Sequence, residues 1–425
     1  MDKSIERRNL LKYLTLASTA IAVPKLSFAA AKGEILIIGG GFGGAATAKY
    51  LSNYAPQLKV TLIEPNEKFI TCPFSNTVLA DLNKIDFITH DYKQIQKLGV
   101  NVVKAEAIGI NPTQKNVTLN TGDKIYYDRL IVASGIDFKF EEIKGHSLEL
   151  TKKFPHAWKA GAQTLLLRDQ LQSMRPGGIF VISVPNNPYR CPPGPYERAS
   201  LVAHYFKQHN PRAKILILDE KDKFSKQTLF QLGWKELYGD MIEWVPFSQK
   251  GNMLELRPDT KELVSEFAKF SGDVLNIIPP QRAGGILREA GLCGDGDWAQ
   301  INQLTFESIH TPNIHVIGDA ALVGDMPKSA FSATSQARLC AFNIAALQSG
   351  LELESVPLIN TCYSLVAPNY GISVADVYTL DQNHKFKSVP GAGGVSPINA
   401  DREHRNLEAK YSESWYENLT SDIFN

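Results

Sequence analysis

The chain has no hydrophobic run of the ~20 residues that a membrane-spanning helix needs, so nothing in its 425 residues reads as a membrane span. It also lacks an excess of either charge. Its 45 lysines and arginines against 44 aspartates and glutamates leave a net charge of +1, and no segment gathers a basic stripe. That balance argues against nucleic acid as a partner. Cysteine is scarce as well: five thiols are too few for a disulfide-knitted scaffold, and the count is odd. None of them stands in Cys-x-x-Cys-His, so the chain has no attachment point for a c-type haem, and no residue is assigned to a metal. What remains is ordinary globular composition, 44% hydrophobic and 21% charged, at a length that suits two or three domains.

Residues 1–31 read as an address rather than as fold. Arg7 and Arg8 precede a modestly apolar stretch from Tyr13 to Val23, and Ser27-Phe28-Ala29-Ala30-Ala31 supplies small residues for cleavage. The paired arginines resemble a twin-arginine signal, with an ordinary secretory signal as the alternative. The expected location is the periplasm.

The strongest motif opens the mature chain. Ile35-Leu36-Ile37-Ile38 reads as a buried strand, and Gly39, Gly41 and Gly44 follow in the G-x-G-x-x-G pattern. The first glycine permits a tight turn, the second lets backbone approach a pyrophosphate, and the third lets a helix pack on the strand. The helix, expected from about Ala45 to Asn53, aims its N-terminus at the phosphates. A second strand, Lys59 to Ile63, ends at Glu64, an acid about twenty residues on, where an adenosine ribose would be held. Tyr127 to Gly135 resembles the strand-to-glycine segment of flavoproteins with two dinucleotide sites. Asn313 to Ala320 is a strand ending in Gly318-Asp319; in that superfamily such an aspartate holds the ribitol of FAD, and with both motifs in the expected order this reading of Asp319 is preferred to a helix cap.

A second βαβ unit spans Gly178 to Leu218, and its turn is poor in glycine. Val184 to Pro195 is rich in proline with a single glycine, which cannot form a close pyrophosphate cradle, so NAD(P)H is not an expected substrate. Cys191 lies in this turn, after Arg190 and ahead of a helix expected near Glu197; both neighbours are expected to lower its pKa. Cys362 lies far away in sequence, and spacing alone does not bring the two together.

Several long blocks then resemble one family, the flavoprotein subunit of flavocytochrome c sulfide dehydrogenase. They include Phe154 to Gly161, Arg190 to Ser200, Ile277 to Gly284, Met326 to Ser329, Asn360 to Ser364 and Ser414-Trp415-Tyr416. The resemblance implies an α/β fold of the glutathione reductase type, with two Rossmann-like domains and a C-terminal cap. It implies FAD bound covalently through Cys72, a redox disulfide between Cys191 and Cys362, and Glu197 as a proton acceptor beside it. It also places Lys328 near the flavin N1 and C2 oxygen. Phe74 departs modestly from the family's pattern next to Cys72. Cys293 and Cys340 are expected to be inert. Sulfide is the implied substrate and a separate c-type cytochrome the implied electron acceptor. The alternatives are a sulfide:quinone oxidoreductase and a non-catalytic sulfur-oxidation accessory flavoprotein.

The expected organisation is an FAD domain in two stretches, 32–143 and 277–350, with the second Rossmann-like domain, 144–276, inserted between them. A capping domain, 351–425, carries Cys362. In its last helix Leu407, Tyr411, Trp415 and Leu419 recur at every fourth position, an expected core-facing stripe.

Overall fold

The computed structural model describes residues 31–425, and the expected export signal, Ala31 apart, lies outside them. The fold begins with the Glu34–Ile38 strand. Four of its five residues are buried and rich in isoleucine, which suits a strand covered on both faces. It pairs in parallel with Lys59–Ile63 on one side and Arg129–Val132 on the other. The full parallel sheet runs Ile314–Val316, Arg129–Val132, Glu34–Ile38, Lys59–Ile63, Asn101–Val103. One of its strands thus comes from far downstream in the chain. Helix Phe42–Tyr54 covers this sheet and packs on helix Ala330–Ser349, where alanines on both partners keep the contact shallow.

Ile136–Phe138 pairs antiparallel with Gln281–Ala283 where the chain leaves the first sheet region and returns to it. Between these strands lies a second parallel sheet, ordered Ile242–Val245, Lys214–Asp219, Ile179–Val184, Val274–Ile277. Helix Gly194–His209 follows its Ile179–Val184 strand and begins earlier than expected. Pro195 in the first turn explains the early start, because a proline there loses no hydrogen bond.

The last part pairs Leu358–Ala367 with Tyr370–Leu380 as a long antiparallel ribbon that places Cys362 opposite Val374. Helix Arg402–Phe424, capped by Asp401 accepting from the His404 amide at 2.8 Å, lies directly on that ribbon. At Gly371 a Cβ would come 2.4 Å from the Ala409 nitrogen, so glycine is required by the approach itself.

The expected apolar stripe on this helix holds only in part. Leu407 and Tyr411 are 39% and 54% exposed, whereas Leu419 is buried. A step of four residues overshoots a helical turn by about 40°, so a stripe with that period winds off any one face. The buried face instead carries Arg405, Glu408, Ala409, Ser412, Tyr416, Thr420 and Ile423. The helix end is fixed to the first sheet region by Phe424 against Phe42, Phe69 and His90, and by Asp422 accepting from Tyr50, Lys49 and Arg338. Among the described residues no helix is long and apolar enough to cross a membrane.

Candidate active site

The glycine turn has the geometry its spacing predicts. A Cβ on Gly44 would sit 1.9 Å from the Gly39 carbonyl oxygen, and one on Gly39, where φ is +97°, would sit 2.6 Å from the Ala133 oxygen. Neither position tolerates a side chain. Gly41 is different: a Cβ there would meet only the Phe69 ring, at 3.7 Å, so its missing side chain leaves room for a ligand rather than for protein. Glu64 closes the turn by accepting from the Gly40 amide at 2.8 Å and the Asn66 side chain at 2.7 Å.

At the other end of this cleft several polar atoms are buried without a hydrogen-bond partner among the described residues. They are Asp319 Oδ1, Ser134 Oγ, Arg190 Nε and Gln281 Nε2. A buried polar group left unpaired is costly, and this mixture of donors and acceptors fits a ligand rich in hydroxyls and ring nitrogens. Asp319 is in a short 3₁₀ turn and caps no helix, so the cap reading of this residue is set aside; burial raises its carboxyl pKa and Arg190, 3.9 Å away, opposes that. Lys328 is buried and donates to the carbonyls of Asp319 and Ala321 at 2.7 and 2.9 Å, with its ammonium 3.7 Å from the centre of the Trp298 ring. Burial pulls its pKa down to about 8. The residues present fit FAD: the glycine turn and Glu64 would hold its adenosine and pyrophosphate, and Asp319 and Lys328 its flavin end.

Three further groups meet beside this cleft. Cys72 Sγ lies 3.3 Å from the Trp158 carbonyl oxygen. Phe74, in left-handed backbone at φ 63°, turns its ring away onto Tyr416, at 4.6 Å between centroids. Cys191, also left-handed at φ 58°, is held by its amide donating to the Lys328 carbonyl at 2.8 Å. Its sulfur is close enough to Gly194 that a Cβ there would come within 3.1 Å. Cys362 is on the Leu358–Ala367 strand, near enough to Cys191 that ionising it, or Glu197, would raise the Cys191 pKa. All three thiols are free and partly accessible.

The same short segment steadies both thiols of the expected pair. Lys328 holds Cys191, while Ser329 and Ser332 donate to Asn360 Oδ1 at 2.7 and 3.1 Å, two positions before Cys362.

The expectation of a lowered Cys191 pKa is overturned. Burial pushes that thiol well up, and Cys362 and Glu197 push it further. The reason is geometric: Arg190 turns its guanidinium toward Asp319 and the Trp158 carbonyl rather than toward the sulfur. Burial likewise raises Cys362. Glu197 is deeply placed, accepting from the Leu365 amide and from Asn76 Nδ2, each at 2.8 Å; burial raises its pKa against those bonds. Cys293 and Cys340 are both buried, as expected of packing residues.

Three residues at this site take no role from the sequence: Asn76, Lys226 and Arg198, the last inside the Arg190 to Ser200 block. Arg198 is 1% exposed and donates to Asn76 Oδ1, Asn276 Oδ1 and the carbonyls of His156 and Ala157, with its guanidinium 4.9 Å from the centre of the Trp158 ring.

The second sheet has no such cradle. At the carboxyl end of its Lys214–Asp219 strand, where doubly wound sheets hold a nucleotide, Asp219 is fully buried. It accepts from Tyr196 at 2.6 Å, Trp244 at 2.9 Å and Lys221 at 2.6 Å.

A parallel sheet with a glycine-turn cradle, a second sheet of the same topology and a ribbon-and-helix cap defines a flavoprotein of the pyridine nucleotide-disulphide oxidoreductase class, and the model of that family matches residues 33–171. Two further family models match residues 164–279, described as sulfide dehydrogenase [flavocytochrome c] flavoprotein chain, central, and 355–424, described as flavocytochrome c sulphide dehydrogenase, flavin-binding. The chain belongs to this family of flavocytochrome c sulfide dehydrogenase flavoprotein chains, a family of sulfide-oxidising FAD oxidoreductases. The flavoprotein chain of that name from Chlorobaculum thiosulfatiphilum is 59% identical over 45 residues, covering 11% of this chain and 94% of the relative. The mitochondrial sulfide:quinone oxidoreductase of mouse is 25% identical over 67% of this chain, and the match spans 65% of the mouse protein. The crystal structure of the Aquifex aeolicus sulfide:quinone oxidoreductase shares the fold, with a TM-score of 0.73 at 17% identity over 92% of each chain.

Attachment of FAD at Cys72 has a direct test, motivated by the thiol's place beside the cleft and by the Thr71-Cys72-Pro73 resemblance. Acid-precipitated holoprotein is expected to stay yellow, with the flavin mass on the Cys72 peptide. A colourless pellet from fully loaded protein would refute the linkage.

Proposed function

We propose that this chain is the flavoprotein subunit of a periplasmic sulfide dehydrogenase that passes electrons to a c-type cytochrome. The observation that carries the reading is the convergence of Cys191, Cys362 and Glu197 beside Cys72 and the dinucleotide cleft.

In the resting enzyme Cys191 and Cys362 form a disulfide. Sulfide, as HS⁻, attacks one of its sulfurs; the S–S bond breaks, leaving a persulfide on one cysteine and a thiolate on the other. Glu197, whose pKa burial raises, takes the persulfide proton. A second sulfide displaces the sulfane sulfur as a disulfanide, HSS⁻, the first member of the polysulfide series; Glu197 returns its proton to the departing cysteine, leaving one thiol and one thiolate. Re-forming the disulfide from that pair releases two electrons and one proton. FAD, when bound, supplies the chemistry that takes such a pair and hands it on one electron at a time to a haem carrier. Lys328, placed at the flavin end, offers positive charge there below about pH 8.

The buried, fully occupied Asp219 in the second sheet supports sulfide rather than NADH as the electron source. Stopped-flow absorbance tests the whole reading. Sulfide is expected to bleach the flavin and then reduce an added exported cytochrome c, while NADH bleaches nothing. Electron delivery to quinone in liposomes and not to the cytochrome would replace this reading with the sulfide:quinone one. Absence of any turnover with sulfide would favour an accessory role in sulfur oxidation.

A further inference from the structure

Two buried cations act on the cysteine site, and the structure uses them differently. Arg198 spends its donors on four neutral acceptors of the surrounding wall. Lys226 precedes helix Gln227–Tyr238 in left-handed backbone, φ 61°. A lysine in such a position is ordinarily solvated, yet this one is only 7% exposed. Its ammonium donates to the Cys362 carbonyl at 3.2 Å and to Ser364 Oγ at 2.8 Å, both on the strand that carries the thiol. The Phe230 ring, 5.9 Å away, closes the other side. Burying an ammonium against one neutral carbonyl and one hydroxyl is unfavourable unless negative charge stands or forms nearby; the Glu197 carboxyl, whose charged form Lys226 favours, is one such group, and the thiols are the others.

The ionisable groups that face the two thiols in the flavin-loaded protein, where Cys72 is taken up by the flavin, are Glu197, Tyr189, Arg198 and Lys226. Glu197 and Tyr189 gain negative charge when they ionise, so they oppose a thiolate, and Lys226 favours the charged form of Glu197 as well. Arg198 faces Cys191 and Cys72, and Lys226 is the cation that favours the charged form of both Cys191 and Cys362.

We propose that Lys226 is a positioning residue for the cysteine pair: its ammonium, anchored on the backbone of Cys362, makes a negative charge tolerable at these buried sulfurs. The proposal rests on the sulfur chemistry assigned above to Cys191 and Cys362. That exchange conserves charge. HS⁻ brings one negative charge in, its sulfur bonds to one cysteine sulfur as the S–S bond breaks, and the other cysteine keeps the charge as thiolate. A single fixed cation therefore serves both the arrival of the nucleophile and the departure of the leaving group. Lys226 acts through the electrostatic potential at the sulfurs rather than by touching them.

The test is a thiol titration that needs no sulfide. Flavin-loaded protein, reduced with dithiothreitol, is alkylated with iodoacetamide across a pH series, and the Cys191 and Cys362 peptides are followed by mass spectrometry. The buried Cys293 and Cys340 serve as internal controls. In Lys226→Met the apparent pKa of Cys362 is expected to rise by about one unit or more, the size of effect an adjacent opposite charge has. Lys226→Arg, which keeps the charge, is expected to bring the profile back toward wild type. Superimposable wild-type and methionine profiles would overturn the proposal. So would an arginine variant shifted as far as the methionine one, since shape rather than charge would then be responsible. Lys226→Gln is the second neutral variant should the methionine protein fail to fold. If sulfide still bleaches the flavin after Cys191→Ser, the sulfide mechanism falls, while a shifted titration continues to support Lys226.

Discussion

Cys191→Ser and Cys362→Ser are each expected to lower flavin reduction by sulfide at least about a thousandfold, because neither half of an exchange pair works alone. The protein should otherwise remain intact. The Cys191 position is fixed by its backbone amide on the Lys328 carbonyl, and Cys362 lies within a paired strand, so serine keeps both frameworks. Dithionite, which bypasses the thiols, should bleach the flavin of both variants as in wild type. A structural staple would behave otherwise: losing it would lower stability by ~2–5 kcal/mol and leave the reaction of whatever stayed folded unchanged. Stopped-flow traces with sulfide separate the two cases, and near-wild-type bleaching in either variant would place the sulfur chemistry elsewhere.

The largest effect on stability is expected at Arg198→Leu. The leucine leaves the side-chain oxygens of Asn76 and Asn276 and the carbonyls of His156 and Ala157 without this donor in a site closed to water. Each buried polar group left unsatisfied costs about 1–3 kcal/mol. A total loss of at least about 3 kcal/mol follows, to be read as a lower guanidinium midpoint at unchanged slope. Arg198→Lys should rescue little, since a lysine cannot reproduce the planar fork that reaches all four acceptors. A midpoint within error of wild type for the leucine variant would show that the network holds without its centre.

Much of this architecture is legible in the sequence where a physical constraint forces a residue type. Gly39 and Gly44 are dictated by a left-handed turn and a backbone contact, so their spacing carries over directly into structure. The Ile35–Ile38 strand is legible because a strand buried on both faces must be uniformly apolar. Asp319 was ambiguous in one dimension; its unpartnered oxygen, visible only once the first sheet is assembled, sets the cap reading aside. The thiol pKa values were not legible, because they depend on burial by segments far apart in the chain and on the direction Arg190 takes. Lys226, Arg198 and Asn76 were missed for a related reason. A lysine or asparagine of this kind has no spacing signature, the block that contains Arg198 marks no role for it, and only the folded chain reveals which of them is shielded from water.

The bonds from Lys328, Ser329 and Ser332 to the neighbourhoods of Cys191 and Cys362 give the two thiols a common mooring. The pair comes from different parts of the chain, yet a shift of the cap against the second sheet would have to move both sulfurs with that one segment or break its bonds. Once reduced, the thiols cannot drift apart, and each meets the other at a local concentration far above that of any soluble thiol. Ring closure should therefore outrun capture of the dithiol by outside thiols, keeping the cycle within a single molecule.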